Sequence, residues 1–304
     1  MLARRLPAVA RRAATNYDHS VKLIQIAVLA VIQGLAELLP VSSSAHVIVA
    51  EKLMGLDPSS PEMTFLLVML HTGTMFAVIL YFWPRWKARF SSVDAVPRES
   101  MLKALVLATG ATGVLGLVLK DLIEKVFMRG SGKQEVEALF SNLPLIAASL
   151  AAAGALILWA GARPEEGKNE LTPDRSIFIG LLQGLCLPFR GFSRSGATIS
   201  AGLLLGLPRA LAEDFSFALA VILTPPVLTL EGRRLLKAAR ESGHPAFSRE
   251  LFTPGLIGMV FSFAAGLLAL RWLSDWLENG RWRYFGWYCL AASAGVLAVA
   301  ASLR

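Results

Sequence analysis

The sequence predicts an all-α polytopic membrane protein built as two inverted-topology repeats, each a re-entrant helical hairpin followed by three transmembrane helices. Three observations lead there. The chain of 304 residues is 55% hydrophobic and 17% charged, with a mean hydropathy of +0.55, and its long runs are apolar on every side, as lipid-facing segments are. A polar-interrupted stretch occurs twice. Gln33-Gly34-Leu35 and Gln183-Gly184-Leu185 stand 150 residues apart, Ser43 and Ser193 each lie ten residues beyond their glutamine, and Met54-Gly55-Leu56 answers Leu205-Gly206-Leu207. Finally, three expected spans separate the two stretches. That number is odd, so the two enter the membrane from opposite faces, and paired interruptions of this kind point to a site where the repeats meet.

Residues 1–20 carry Arg4, Arg5, Arg11 and Arg12 around a short apolar patch, which reads as a basic arm on the membrane surface rather than a cleaved signal peptide. The first repeat, 21–162, opens with a hairpin over 21–56. Its first limb is apolar but holds Gln33 and Glu37, Pro40 ends it, and a short limb follows. Such limbs are too interrupted for clean spans and suit a re-entrant pair lining a cavity. Spans are expected over 63–83, 101–119 and 140–162, joined by a basic loop over 84–100 and a charged, glycine-containing loop over 120–139. A polar linker, 163–175, leads into the second repeat, 176–304. Its hairpin, 176–207, precedes spans over 215–230, 251–273 and 281–302, with Pro225-Pro226 expected to break or kink the first and 231–250 forming a basic linker.

The chemistry gathers in the paired hairpins. Gly191-Phe192-Ser193-Arg194-Ser195-Gly196-Ala197-Thr198 sets an arginine and several hydroxyls in an apolar run. An arginine at mid-bilayer costs about 2.5–3.5 kcal/mol on insertion scales, so it marks a functional site by default. A helix expected to start at about Ser195 would add the amides of Gly196 and Ala197 to Arg194, the recipe for a phosphate cradle. The first hairpin supplies Glu37, Ser43 and His46. If the hairpin tips meet, Glu37, Ser43, His46, Ser193, Arg194, Ser195 and Thr198 share one pocket. Glu37 suits a hard divalent cation bridging to a diphosphate, Mg²⁺ before Ca²⁺ or Mn²⁺. His46 is a candidate acid, base or nucleophile, and Ser43 a candidate nucleophile with His46 as its base.

Plainer roles stand beside these. Glu37 and Arg194 suit a structural ion pair, and His46 a bond to a carbonyl. Ser42, Ser43 and Ser44 suit caps on the second limb. His71 reads as a packing histidine or one that supports the site from behind, Glu213 and Asp214 as carboxylates at a helix start, and Cys186 and Cys289 as packing residues. The net charge of +8 fits anionic lipid head groups or a polyanionic substrate, and no nucleic-acid partner is expected.

The motifs Gln33-x-x-x-Glu37, Pro40-Val41-Ser42-Ser43-Ser44-Ala45-His46 and Gly191-x-Ser193-Arg194-Ser195-Gly196-Ala197-Thr198-Ile199-Ser200 resemble the signatures of the undecaprenyl-diphosphate phosphatase (bacitracin-resistance) family. Gly202–Leu207 and Phe215-Ser216-Phe217 extend the resemblance, which covers roughly 20–302. It implies removal of the terminal phosphate of undecaprenyl diphosphate in the bacterial inner membrane, recycling the lipid carrier of peptidoglycan synthesis and conferring bacitracin resistance. It also implies divalent-cation dependence and a homodimer. Carried over by position, Glu37, Ser43, His46 and Arg194 are the catalytic residues and Gln33, Ser193, Ser195, Gly196 and Thr198 the substrate-binding ones, with Glu37 on the metal. The chain departs from the family pattern at Arg190, where proline is usual, at Leu67, where many members are acidic, and at His71, where others carry glutamine. A lipid or anion transporter on the same inverted-repeat plan is the alternative.

Overall fold

A computed structural model describes residues 23–57, 60–91, 98–127, 139, 142–163, 167–242 and 249–302; the expected basic arm over 1–20 lies outside them. The described residues form ten α-helices and no strand: α1 (Leu23–Leu38), α2 (Ser43–Leu53), α3 (Pro61–Ser91), α4 (Arg98–Leu122), α5 (Leu143–Gly161), α6 (Pro173–Cys186), α7 (Arg194–Leu204), α8 (Arg209–Ser242), α9 (Arg249–Glu278) and α10 (Trp282–Ser302). Six of them, α3, α4, α5, α8, α9 and α10, are long and apolar enough to cross a membrane. Apolar side chains such as Val106 and Leu117 stand on the outer surface, where lipid rather than water is the natural neighbour.

The remaining four helices are short. α1 has 16 residues and α2 has 11, α6 has 14 and α7 has 11. At 1.5 Å per residue the longest of them reaches about 24 Å, short of the roughly 30 Å hydrocarbon core. Each pair is a helix–turn–helix, as the sequence predicts. The first turns at Pro40–Ser42, the second around Gly191, and Ser193 caps α7 by accepting the Gly196 N–H at 3.2 Å. α2 and α7 also stop alike. Gly55 (φ 70°) and Gly206 (φ 76°) hold the left-handed conformation just past each helix end, which a side chain would strain.

Helix packing exchanges the halves. α1 lies against α9, and α6 against α4. Both crossings need a missing side chain: a Cβ on Gly34 would stand 2.6 Å from the Ala265 Cβ, and one on Gly180 would stand 2.2 Å from the Ala108 carbonyl oxygen. α3 packs on α9 and α8, and α5 on α10. The start of α3 (Met63, Leu66, Leu70) clusters with Ile26 near the start of α1. Its other end, at Arg85, binds Glu213 and Ala210 near the start of α8. The main core is centred on Phe82, Phe215, Phe217, Ile146 and Leu150.

Several boundaries differ from those expected. α3 continues through Pro84 to Ser91, and α8 passes Pro225-Pro226 to Ser242. Pro225 and Pro226 have no N–H to give the Val221 and Ile222 carbonyls, yet the helix continues; Thr224 and Thr229 bond back to the Ala220 and Pro225 carbonyls at 2.7 and 2.8 Å, and membrane helices tolerate such prolines. Helix also replaces the first part of the loop expected over 120–139. α4 reaches Leu122, a π-turn follows at Ile123–Phe127, and Lys120–Glu124 and Lys125–Asp121 pairs one turn apart brace it. Because α8 begins at Arg209, Glu213 and Asp214 lie beyond its first turn. They do not cap the helix; both bind Arg85, at 2.9 and 3.0 Å.

Candidate functional site

Glu37, in the last turn of α1, is where the two hairpins meet. Its Oε1 accepts a bond from Arg194 Nη2 at 2.6 Å. Its Oε2 accepts from Ser43 Oγ at 2.5 Å and from Gln33 Nε2 at 3.2 Å. Helical spacing explains the last contact, since residues four apart share a face. Sharp breaks explain the other two: the turn after Leu38 folds Ser43 back over Glu37, and the turn after Cys186 presents Arg194 as the first residue of α7. The Glu37 side chain retains 13% of its exposure and Arg194 25%, so the pair is shielded but not sealed.

Further contacts tie the tips together. Ser195 Oγ donates to the Leu39 carbonyl at 3.3 Å, and Arg190 reaches Ser44 Oγ at 3.4 Å. Arg190 therefore bridges from the second hairpin to the first.

His46 faces elsewhere. Its Nδ1 meets the Ser42 carbonyl at 2.7 Å, and its Nε2 meets the Tyr288 hydroxyl at 2.8 Å. A carbonyl only accepts, so Nδ1 carries the proton of the neutral ring and Nε2 takes the tyrosine's O–H. Tyr288 also stacks on the imidazole, with ring centroids 5.6 Å apart. Ser42 itself holds φ 67°, a left-handed conformation that costs a serine on the order of 1–3 kcal/mol; the carbonyl that orients His46 belongs to this strained residue. The expected Ser43–His46 couple is thus absent: Ser43 is bonded to Glu37, and His46 to Tyr288.

At the start of α7, hydroxyls and amides already have partners. Ser193 takes the Gly196 N–H on its Oγ and the Ala197 N–H on its carbonyl, at 3.2 and 2.8 Å. Those two amides are therefore engaged by the cap, unlike the phosphate cradle expected from the sequence. Thr198 Oγ1 donates to the Arg194 carbonyl at 2.9 Å and lies 2.5 Å from Ser216 Oγ.

His71 on α3 joins the site. It lines a small cavity, about 10 Å³, together with Glu37, Arg194, Thr74, Met75 and Thr224, room for about one water. Its Nε2 stands 3.6 Å from Glu37 Oε2. From the sequence His71 reads as a packing histidine or one that supports the site from behind, although a lone histidine inside a 26-residue apolar span is itself the signal of an intramembrane functional residue. Tyr288 had no such signal; it belongs to an aromatic run of the kind that lines a membrane interface.

A cation here would meet a mixed donor set, since no group of three or more His, Cys, Asp or Glu side chains gathers among the described residues. The available donors fit one nonetheless. Gln33 Oε1 is buried without a hydrogen-bond partner, and it belongs to a side chain already touching Glu37. An orphaned oxygen beside a carboxylate is what a hard cation satisfies.

Comparison with known proteins places these residues in context. The family described as "Bacitracin resistance protein BacA" matches the chain over residues 26–295. A protein of Acinetobacter baylyi named "Undecaprenyl-diphosphatase 2" is 57% identical over 286 residues, covering 93% of this chain and 100% of the relative. Proteins named "Undecaprenyl-diphosphatase" from Acidovorax ebreus and Variovorax paradoxus are 33% and 34% identical, covering 91% and 92% of this chain and 95% and 96% of their own lengths.

Proposed function

The chain belongs to the bacitracin resistance protein BacA family, and on that premise we propose that it is an integral-membrane phosphatase, hydrolysing undecaprenyl diphosphate to undecaprenyl phosphate and inorganic phosphate. The observation that carries this reading is the Glu37 carboxylate, bonded at once to Ser43 of its own hairpin and Arg194 of the other. A nucleophile, an acceptor for its proton and a cation for phosphate oxygens are the minimum that phosphoryl transfer requires.

Ser43 Oγ attacks the terminal phosphorus, and its proton passes to Glu37 Oε2 along the bond already in place. The anhydride P–O bond breaks, and undecaprenyl phosphate leaves. Arg194 moves from Glu37 to the phosphoryl oxygens, where its planar fork neutralises developing charge. Water then attacks the phosphoserine, inorganic phosphate departs, and Glu37 returns the proton to Ser43. As the second acid–base group, His46 exchanges the Tyr288 O–H on its Nε2 for the attacking water and takes that water's proton. Glu37 would hold a divalent cation, Mg²⁺ by its oxygen donors, with Ca²⁺ or Mn²⁺ as substitutes; when bound it supplies positive charge to the diphosphate. Gln33, Ser193, Ser195, Gly196 and Thr198 shape the substrate-binding wall: Gln33 steadies Glu37, and the other four fix the start of α7 and with it Arg194.

The inverted-repeat plan completes the proposal. It is supported by α3, which starts beside the mouth of the first hairpin and ends beside the start of α8, and by each hairpin packing on a span of the other half. The enzyme works in the bacterial inner membrane as a homodimer, recycling the lipid carrier. Phosphate release from undecaprenyl diphosphate by detergent-purified protein, with and without EDTA, tests the activity. Release that EDTA abolishes is expected; no release from folded protein would favour a carrier instead.

A further inference from the structure

His71 is placed by two contacts that leave its other nitrogen with unfinished chemistry. Nδ1 lies 2.8 Å from the Leu67 carbonyl, which can only accept, so the neutral ring keeps its proton there and Nε2 bears a lone pair. That lone pair is 3.6 Å from Glu37 Oε2. With the ring in its neutral form, two acceptors face each other across a cavity about 10 Å³ in volume, and a positive centre between them reconciles them. Gln33 adds a third acceptor: a half-turn of its carboxamide would exchange the Nε2 that touches Glu37 at 3.2 Å for the partnerless Oε1. Two ligands each about 2.0–2.2 Å from one ion lie roughly 3–4 Å apart, the separation that His71 and Glu37 already have.

We propose that His71 Nε2 is a ligand of the divalent cation, forming with the Glu37 carboxylate and the Gln33 carboxamide oxygen a three-residue donor set that the substrate's phosphate oxygens complete. The proposal rests on the phosphatase reading for its cation. Imidazole suits the later divalent metals better than the hardest ones, so His71 weakens the preference for Mg²⁺ that an all-oxygen set would have.

The test uses the full chain in detergent, with Mn²⁺ as the probe and pulsed paramagnetic resonance as the readout. Wild type should show ¹⁴N hyperfine coupling from a directly bound imidazole. His71→Gln, which keeps a neutral acceptor of similar reach, should lose the coupling and weaken Mn²⁺ binding on the order of tenfold or more. His46→Gln should keep both. Circular dichroism checks that each variant is folded, and His71→Asn serves if His71→Gln is not. Wild type saturated with Mn²⁺ but lacking the coupling would overturn the proposal, as would coupling that survives in His71→Gln. Phosphate release from undecaprenyl diphosphate by the same samples separates the two readings. Coupling without release sinks the phosphatase and leaves the ligand, whereas release without coupling sinks only the ligand.

Discussion

At the level of single residues, who is bonded to whom decides which group can do what. Ser43 donates its hydrogen bond to Glu37 at 2.5 Å, so Ser43→Ala removes the proposed nucleophile and should lower kcat by on the order of 10²-fold or more, while Ser43→Cys should be trapped as a thiophosphate or run slowly. Tyr288 acts on the chemistry only through His46. Tyr288→Phe keeps the stacked ring and loses the hydroxyl, and should therefore lower kcat with little change in KM; an equal fall in affinity would assign Tyr288 to substrate binding instead. Glu37, Ser43 and Arg194 were legible in the sequence because duplicated motifs put polar residues where lipid would exclude them. The partnership of Ser43 was not, because His46, three residues on, is nearer in sequence than Glu37, six residues back. The folded turn, with Ser42 at φ 67°, decides between them. Tyr288 lies 242 residues from His46 and nothing local announces it.

At the scale of elements, close crossings rather than helix propensity hold the hairpins in place. A Cβ at Gly180 meets the Ala108 carbonyl at 2.2 Å, whereas one at Gly113 on α4 meets nothing within 4 Å. Gly180→Ala should therefore cost about 1–3 kcal/mol through forced separation of α4 and α6. Gly113→Ala should be neutral or gain up to about 1 kcal/mol from helix propensity. Thermal unfolding in detergent compares the two directly, and equal midpoints would contradict the packing described. The hairpins and six spans were readable because length and apolar runs are dictated by bilayer thickness. The helix ends were not. Pro84, Pro225 and Pro226 argue for breaks in water, whereas a helix among lipid and other helices keeps its remaining backbone bonds and runs on.

At the scale of the whole molecule, Arg85 fastens α3 to α8 by binding two buried carboxylates, Glu213 and Asp214, while Ser274 of α9 donates to Glu213 at 2.7 Å. Removing the arginine leaves both carboxylates buried without their cation, so Arg85→Ala should destabilise the fold by about 3–5 kcal/mol, read as a fall in the detergent unfolding midpoint. The sequence assigned these carboxylates to a helix start because their partner lies 128 residues away. The inverted plan makes a separate prediction. In a chain with Cys186 and Cys289 replaced by alanine, Asp57→Cys and Lys168→Cys stand at the mouths of the two hairpins. An impermeant maleimide should label them from opposite faces of oriented vesicles; labelling from one face would refute the plan.

Glu37 and Arg194, from different hairpins, are proposed to serve one site. A double-mutant cycle on phosphate release from undecaprenyl diphosphate tests this most directly, using Glu37→Gln, Arg194→Ala and the pair. Each single change should cost on the order of 10²–10³-fold, and the double variant should be no worse than about the poorer single, because the two act as a unit. Losses that multiply, or a single variant that retains wild-type turnover, would mean the two residues do not share the chemistry.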